Sequence, residues 1–210
     1  MTEREASMTP IALFDFGGVL AEEGFVQGLT AIARMNTYDD IPRFVELGHD
    51  IIHETGYVLG KGAEHDYWNA MRARTGIHQD DDVLRNEILS RFHLRSWMLD
   101  TVRDLKEDGY GVGILSDQTN WLDELNDSFQ FFPLFDRVFN SYHMGTSKRD
   151  SAHFDRVIAS VQRPPGDIVF IDDSAEHCER ARSRGIRTVL YRDQSALKEV
   201  RTFLPPDNGS

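Results

Sequence analysis

Short apolar runs recur along the chain, and the stretches between them carry helical periodicity. Ile11–Phe14, Gly111–Leu115, Ile168–Ile171 and Thr188–Tyr191 are such runs, with a shorter one over Arg137–Tyr142. Runs with apolar residues on both faces predict central strands of a parallel sheet that is covered on both sides. Ser96 is placed to cap a helix that Gly109 ends, with Met98, Val102 and Leu105 on one face. Phe154, Val157, Ile158 and Val161 recur at helical spacing, and Ser174 is placed to cap a further helix running to Gly185. Strand and helix therefore alternate from Leu94 onward. This predicts βαβ units and an α/β fold with a doubly wound parallel sheet.

The pattern changes between Gly24 and His93, where no strand is evident. Two stretches there, "DDIPRFVELGHDIIHETG" and "GAEHDYWNAMRARTG", are helical in composition, with breaks at Gly56–Gly62 and at Gly76. The expected organisation is a sheet-bearing core over residues 10–22 and 94–204, an inserted α-helical cap over 23–93, and tails at 1–9 and 205–210. Ligands of open α/β sheets bind beyond the carboxyl ends of the strands. An insert leaving the chain after the first strand would sit over that site as a lid.

Composition narrows the partners. The chain has 210 residues, 40% hydrophobic and 28% charged, which suits a soluble folded protein. Its formal net charge of -12, with basic residues scattered, argues against nucleic acid as a partner. The one cysteine, Cys178, allows no intrachain disulfide, which suits a reducing, cytoplasmic setting. No apolar run reaches the roughly 18 residues of a membrane span, and "MTEREASMTP" lacks the apolar centre of a signal peptide.

The polar residues that end the apolar runs point to chemistry. The first run ends at Asp15, the second at Ser116 and Asp117, and the fourth at Asp172 and Asp173. In a parallel sheet these ends share one edge, so distant segments deliver carboxylates and a hydroxyl to one place. Crowded carboxylates raise one another's pKa, and a hard divalent cation relieves them. Mg²⁺ prefers oxygen ligands and works beside phosphates. Lys148, after the third strand, adds a positive charge to the same edge, giving a set suited to phosphoryl transfer.

These residues resemble the haloacid dehalogenase superfamily. "DFGGV" (Asp15–Val19) is similar to its first motif, "GILSD" with Ser116 to its second, "SKRD" with Lys148 to its third, and "VFIDDS" with Asp172 and Asp173 to its fourth. The resemblance covers Ile11 to about Leu190, with the helical insert in the expected place. It implies that Asp15 is the nucleophile of an aspartyl-phosphate intermediate and a Mg²⁺ ligand. Gly17 would offer Mg²⁺ its backbone carbonyl, Asp173 would bind directly, and Asp172 mainly through water. Ser116 would hold the phosphoryl oxygens with the backbone N–H of Gly18 or Asp117, and Lys148 would neutralise nucleophile and phosphate. The glycines would let the backbone turn sharply and approach the phosphate.

Two positions depart from the pattern. The family's phosphatases usually carry a second aspartate where Gly17 stands, which protonates the leaving oxygen and then activates water. Such help is worth about 10²–10⁴ in rate. Similar "D-x-G-G-V" variants occur in a branch resembling glucose-1-phosphate phosphatases and the phosphatase-like domain of epoxide hydrolases. A good leaving group, a cap residue or water would cover the loss. Asp117 stands where the family commonly has Asn, and its charge disfavours phosphate unless it points away. The expected function is a Mg²⁺-dependent phosphatase of a small phosphomonoester, a sugar phosphate being one example. A binding or regulatory protein without turnover is the first alternative, motivated by Gly17 and Asp117. Dehalogenation ranks last, because it needs no cation for the acid pair. His49 and His53, spaced i, i+4, read as a partly exposed surface pair, and His143 and His177 are left unassigned. Tyr67, Trp68, Trp97 and Trp121 read as core or cap-interface packing, with one or two of the first three facing substrate. Cys178 reads as buried packing.

Overall fold

A computed structural model describes residues 9–206; the expected tails at 1–9 and 205–210 lie outside the described residues except for 9, 205 and 206. β1 (Ile11–Phe14) is followed by four helices: α1 (Gly24–Met35), α2 (Ile41–Glu54), α3 (Glu64–Thr75) and α4 (Asp81–Leu89). Then come α5 (Ser96–Glu107), β2 (Gly111–Ser116), α6 (Trp121–Phe129), β3 (Arg137–Asn140) and the short α7 (Ser141–Met144). The chain continues through α8 (Ser151–Val161), β4 (Ile168–Asp172), α9 (Ala175–Arg182), β5 (Arg187–Leu190) and α10 (Ala196–Phe203). The five strands form one parallel sheet in the order β3-β2-β1-β4-β5.

Alternation along the strands divides the interior. Ala12, Phe14, Val112, Ile114, Val169 and Ile171 face one side, toward α5 and the helical insert. Ile11, Leu13, Leu115, Ile168 and Phe170 face the other, toward Phe154, Val157 and Val161 of α8 and Ala181 of α9. Side chains of a strand alternate between faces, so runs apolar at every position are required by a sheet buried on both sides.

Three expectations shift. Arg95, not Ser96, is the residue before α5, and Ser96 makes no capping bond. The Arg95 backbone N–H instead donates to Leu20 O at 2.9 Å, so the chain is extended at Arg95 and the helix begins at Ser96 itself. The third strand stops at Asn140, whose side chain accepts from the Tyr142 N–H at 3.3 Å and opens α7. The fifth starts one residue earlier than its apolar run. Ser174 does cap α9, accepting from the His177 N–H.

The insert is helical, apart from a one-turn 3-10 segment at Tyr57–Leu59 between glycines in left-handed conformation. It is tied to the sheet in two ways. Its two connecting strands lie side by side, with Glu22 N–H donating to His93 O at 2.9 Å beside the Arg95–Leu20 bond. An aromatic cluster then joins the layers. Trp121 of α6 lies 6.0 Å from Trp68, 5.6 Å from Tyr57 and 6.3 Å from Phe25, ring centre to ring centre. Glu64 accepts from Trp68 Nε1 at 2.9 Å and from Trp121 Nε1 at 3.2 Å, which satisfies the polar atoms of both buried indoles. Trp68, Tyr67 and Trp121 are fully buried, and Trp97 stacks on Tyr191 at 6.4 Å. Among the described residues, no helix is long and apolar enough to cross a membrane.

Candidate active site

The sheet order turns at β1, where a crevice opens between the strand ends of an open α/β sheet. Register sets the neighbours. Phe14 pairs with Ile114 on one side and Ile171 on the other, and the Asp15 N–H donates to Ile171 O at 2.9 Å. Asp15, Ser116 and Asp172 therefore reach one rim. Lys148, from the loop after α7, is fully buried among them. Its Nζ lies 2.7 Å from Asp15 Oδ2 and 2.7 Å from Asp172 Oδ2.

A cavity of about 350 Å³ stands over this rim. The sheet side contributes Asp15, Gly17, Ser116, Asp117, Lys148 and Asp173. The insert contributes Glu23, Phe25, Val26, His49, Ile52, His53 and Val58. Tyr67 and Trp68 pack in the core as expected, and none of Tyr67, Trp68 and Trp97, of which one or two are expected to face substrate, is in this lining. His49 and His53 are half-buried, in keeping with a partly exposed pair, and α2 turns them toward the cavity. Burial, then the nearby Arg149 charge, lowers the pKa of both, that of His53 to about 4. His143, by contrast, is exposed and lies 2.8 Å from Asp123.

The two acids after β4 differ. Asp172 is fully buried behind the cavity wall. Its Oδ1 accepts from the Ser174 N–H at 2.7 Å, and His177 Nδ1 lies 3.3 Å from both its oxygens. Burial opposes its ionisation, but Lys148 and His177 outweigh burial and hold it well below the usual range. Asp173 faces the cavity, where burial and the Asp172 charge push its carboxyl up. Asp15 is pushed up strongly, by burial first and then by Asp172 and Asp173, although Lys148 works the other way. The buried ammonium is shared between two carboxylates at equal distance. Lys148 itself is held protonated: burial works against it, and Asp15 and Asp172 prevail. Burial and Asp173 also push Glu23 up to about 7.

Such crowding tests whether a cation fits. Asp15 and Asp172 hold the ammonium of Lys148, and Asp173 and Glu23 line the cavity beside them, so carboxylates outnumber the one buried ammonium. Ligand atoms of Asp15, Asp172 and His177 come within 4.8 Å of one another. Asp172 and His177 are already engaged with each other, and Asp15 and Asp173 are the strand-end carboxylates that line the cavity. Oxygen donors with unbalanced charge fit a hard divalent ion.

Gly18 explains how the acids are packed. Its φ is +77°, and a Cβ there would stand 2.1 Å from Asp173 Oδ2. Gly18→Ala is therefore expected to displace Asp173 and to destabilise the fold by about 1 kcal/mol or more, which thermal unfolding reads directly. Asp117 accepts the Lys148 backbone N–H at 3.0 Å and 3.1 Å with its two oxygens. Its carboxylate thus serves to position the lysine loop. Arg95 is a residue that motif reading passes over. Its guanidinium donates to Gly18 O at 2.5 Å and to both Glu22 oxygens at 3.0 Å, bracing the turn after β1 against the start of α5.

A parallel sheet with an acid, hydroxyl and lysine at its carboxyl edge, under a helical cover, is the architecture of a doubly wound α/β enzyme. The haloacid dehalogenase-like hydrolase family matches residues 9–185, and the chain belongs to it. Drimenol cyclase DrtB of Aspergillus calidoustus is 31% identical over 159 residues, 70% of this chain and 29% of that protein. Bifunctional epoxide hydrolase 2 of Sus scrofa is 28% identical over 123 residues, 55% of this chain and 22% of that protein. The matched part thus spans less than a third of these relatives. Among solved structures, a HAD family enzyme of Bacteroides thetaiotaomicron superposes with a TM-score of 0.71 at 23% identity, covering 90% of this chain and 98% of that one. Its complex with magnesium and inorganic phosphate gives a TM-score of 0.68 at 22% identity, with the same coverage. The L-2-haloacid dehalogenase of Xanthobacter autotrophicus gives 0.64 at 16%, covering 94% of this chain and 84% of that one.

Proposed function

We propose that the protein is a Mg²⁺-dependent phosphatase of small phosphomonoesters that works through an aspartyl-phosphate. The observation that carries this reading is the placement of Lys148 Nζ 2.7 Å from both Asp15 and Asp172 beneath a cavity that Ser116 and Asp173 also face. Asp15 is the nucleophile, attacking phosphorus in line with the departing oxygen. Lys148 offsets charge on the nucleophile and the transferred group, and the Ser116 hydroxyl donates to a phosphoryl oxygen. Asp15, Asp173 and the Gly17 carbonyl hold Mg²⁺, with Asp172 behind them; Gly18 and Asp117 shape the phosphate pocket through the backbone. Mg²⁺ supplies positive charge that favours ionised Asp15 and the transferring phosphoryl group. The magnesium and phosphate bound by the Bacteroides enzyme support the same set here.

The cavity is of the size that takes a small metabolite, such as a sugar phosphate. The acid pair after β4 favours this chemistry over dehalogenation. A buried free Cys178 and an acidic surface fit a cytoplasmic enzyme without nucleic-acid or membrane partners. The test is a panel of small phosphate esters. Pure protein with Mg²⁺ is expected to release phosphate from at least one, and chelation is expected to stop it. Silence across the panel would leave the binding-protein alternative, and halide release in the presence of chelator would replace the proposal with dehalogenation.

A further inference from the structure

Gly17 has no side chain to carry a proton, yet the space beside it is filled. A Cβ built on Gly17 would stand 3.0 Å from Glu23 Oε2 and 3.7 Å from Glu23 Cδ. The carboxyl arriving there comes from the insert, at the residue before α1. Its neighbour Glu22 points elsewhere and pairs with Arg95 at 3.0 Å. Glu23 has no ion pair among the described residues, and it lines the cavity together with Asp15, Ser116 and Lys148. Three other proton-bearing groups there are engaged elsewhere, His177 with Asp172 at 3.3 Å among them. Lys148 is locked between two carboxylates, and Asp117 is turned to the Lys148 backbone.

We propose that Glu23 is the proton carrier of the reaction, delivered from the insert into the space that Gly17 leaves open. This deepens the phosphatase reading and rests on it. In the first half-reaction an Asp15 oxygen forms a bond to phosphorus as the ester P–O bond breaks. The Glu23 carboxylic acid passes its proton to the departing alkoxide, which leaves as the alcohol. In the second, the Glu23 carboxylate accepts a proton from a water whose oxygen attacks phosphorus. The bond to Asp15 breaks, inorganic phosphate departs, and Glu23 is again the acid. Only when the insert is in place does the site have a proton carrier, so the cover takes part in the chemistry as well as in enclosing it.

The test compares two substrates that differ in their need for a proton. Glu23→Gln is expected to lower turnover of an alkyl phosphate by about 10²–10⁴. First-turnover release of 4-nitrophenol from its phosphate ester, whose leaving group departs as a stable anion, is expected to fall by much less. The aspartyl-phosphate then persists, because its hydrolysis lacks a base, and is trapped as labelled protein. Adding Gly17→Asp to Glu23→Gly is expected to recover part of the loss, whereas Gly17→Asp alone puts two carboxyls in one space and lowers activity. Equal losses on both esters, a higher Mg²⁺ requirement with no phosphoenzyme, or no loss would overturn the role of Glu23, as would the same split produced by His53→Gln in its place. If the wild-type protein cleaves neither ester nor any of the panel, the phosphatase reading fails and this inference fails with it.

Discussion

Asp15→Asn is expected to abolish phosphate release, by about 10⁴-fold or more, and to leave the protein as stable as before or slightly more so. The two halves of that outcome have one cause. Asp15 ends the central strand, where its Oδ1 accepts the Phe16 N–H at 2.7 Å and its Oδ2 takes the Lys148 ammonium. Asn keeps the shape and the first of these bonds but has no anionic oxygen to attack phosphorus. The folded state raises the pKa of Asp15, through burial and then Asp172 and Asp173. A raised acid favours the fold at low pH and weakens it as pH rises past the unfolded value, so at neutrality the ionised side chain costs stability that Asn does not. Phosphate assays and thermal unfolding of the pure variant measure both halves. Retained turnover would remove the proposed nucleophile.

Lys148→Met is expected to be costly in both respects. The ammonium is 1% exposed and touches two carboxylates, so its loss strands buried negative charge. Removing one member of a buried ion pair typically costs about 3–5 kcal/mol. In a chain of this size that corresponds to a fall in Tm of roughly 6–20 °C. The same deletion takes away charge from the nucleophile and the phosphoryl group, for an expected loss of at least about 10²-fold in turnover. Saturating Mg²⁺ is expected to reduce the loss in Tm, since a divalent ion balances the same acids. Thermal scans with and without Mg²⁺ separate the contributions, and a variant with unchanged Tm in both would mean that the lysine is not holding the acids together.

The sheet is legible in the sequence because burial on both faces forces runs such as Ile168–Ile171 to be apolar throughout. The polar residues that end those runs had to share an edge once the strands were parallel, and so Asp15, Ser116, Asp117, Asp172 and Asp173 are visible before any coordinates. Other features depend on tertiary contacts that leave no local trace. Glu22 and Glu23 are chemically identical neighbours, and only Arg95, 73 residues away in sequence, separates one for the hinge and the other for the cavity. The periodicity of Phe44, Gly48, Ile51 and Ile52 marks the buried face of α2, but nothing local shows that His49 and His53 beside it line a cavity. Asp117 reads as a misplaced charge until its oxygens are seen on the Lys148 backbone. Large rings serve both recognition and packing, so the sequence does not separate the two roles for Tyr67 and Trp68; here Glu64 and Trp121 commit them to packing.

That shared aromatic seat has a consequence for engineering. One hydrophobic cluster runs from the strands through Trp121 into Tyr57, Tyr67 and Trp68. A graft of a foreign cover onto this sheet would leave an indole bare and its nitrogen without an acceptor. Modularity is therefore limited: a transplant must carry a counterpart of Glu64 and a socket for Trp121, or take α6 along with it.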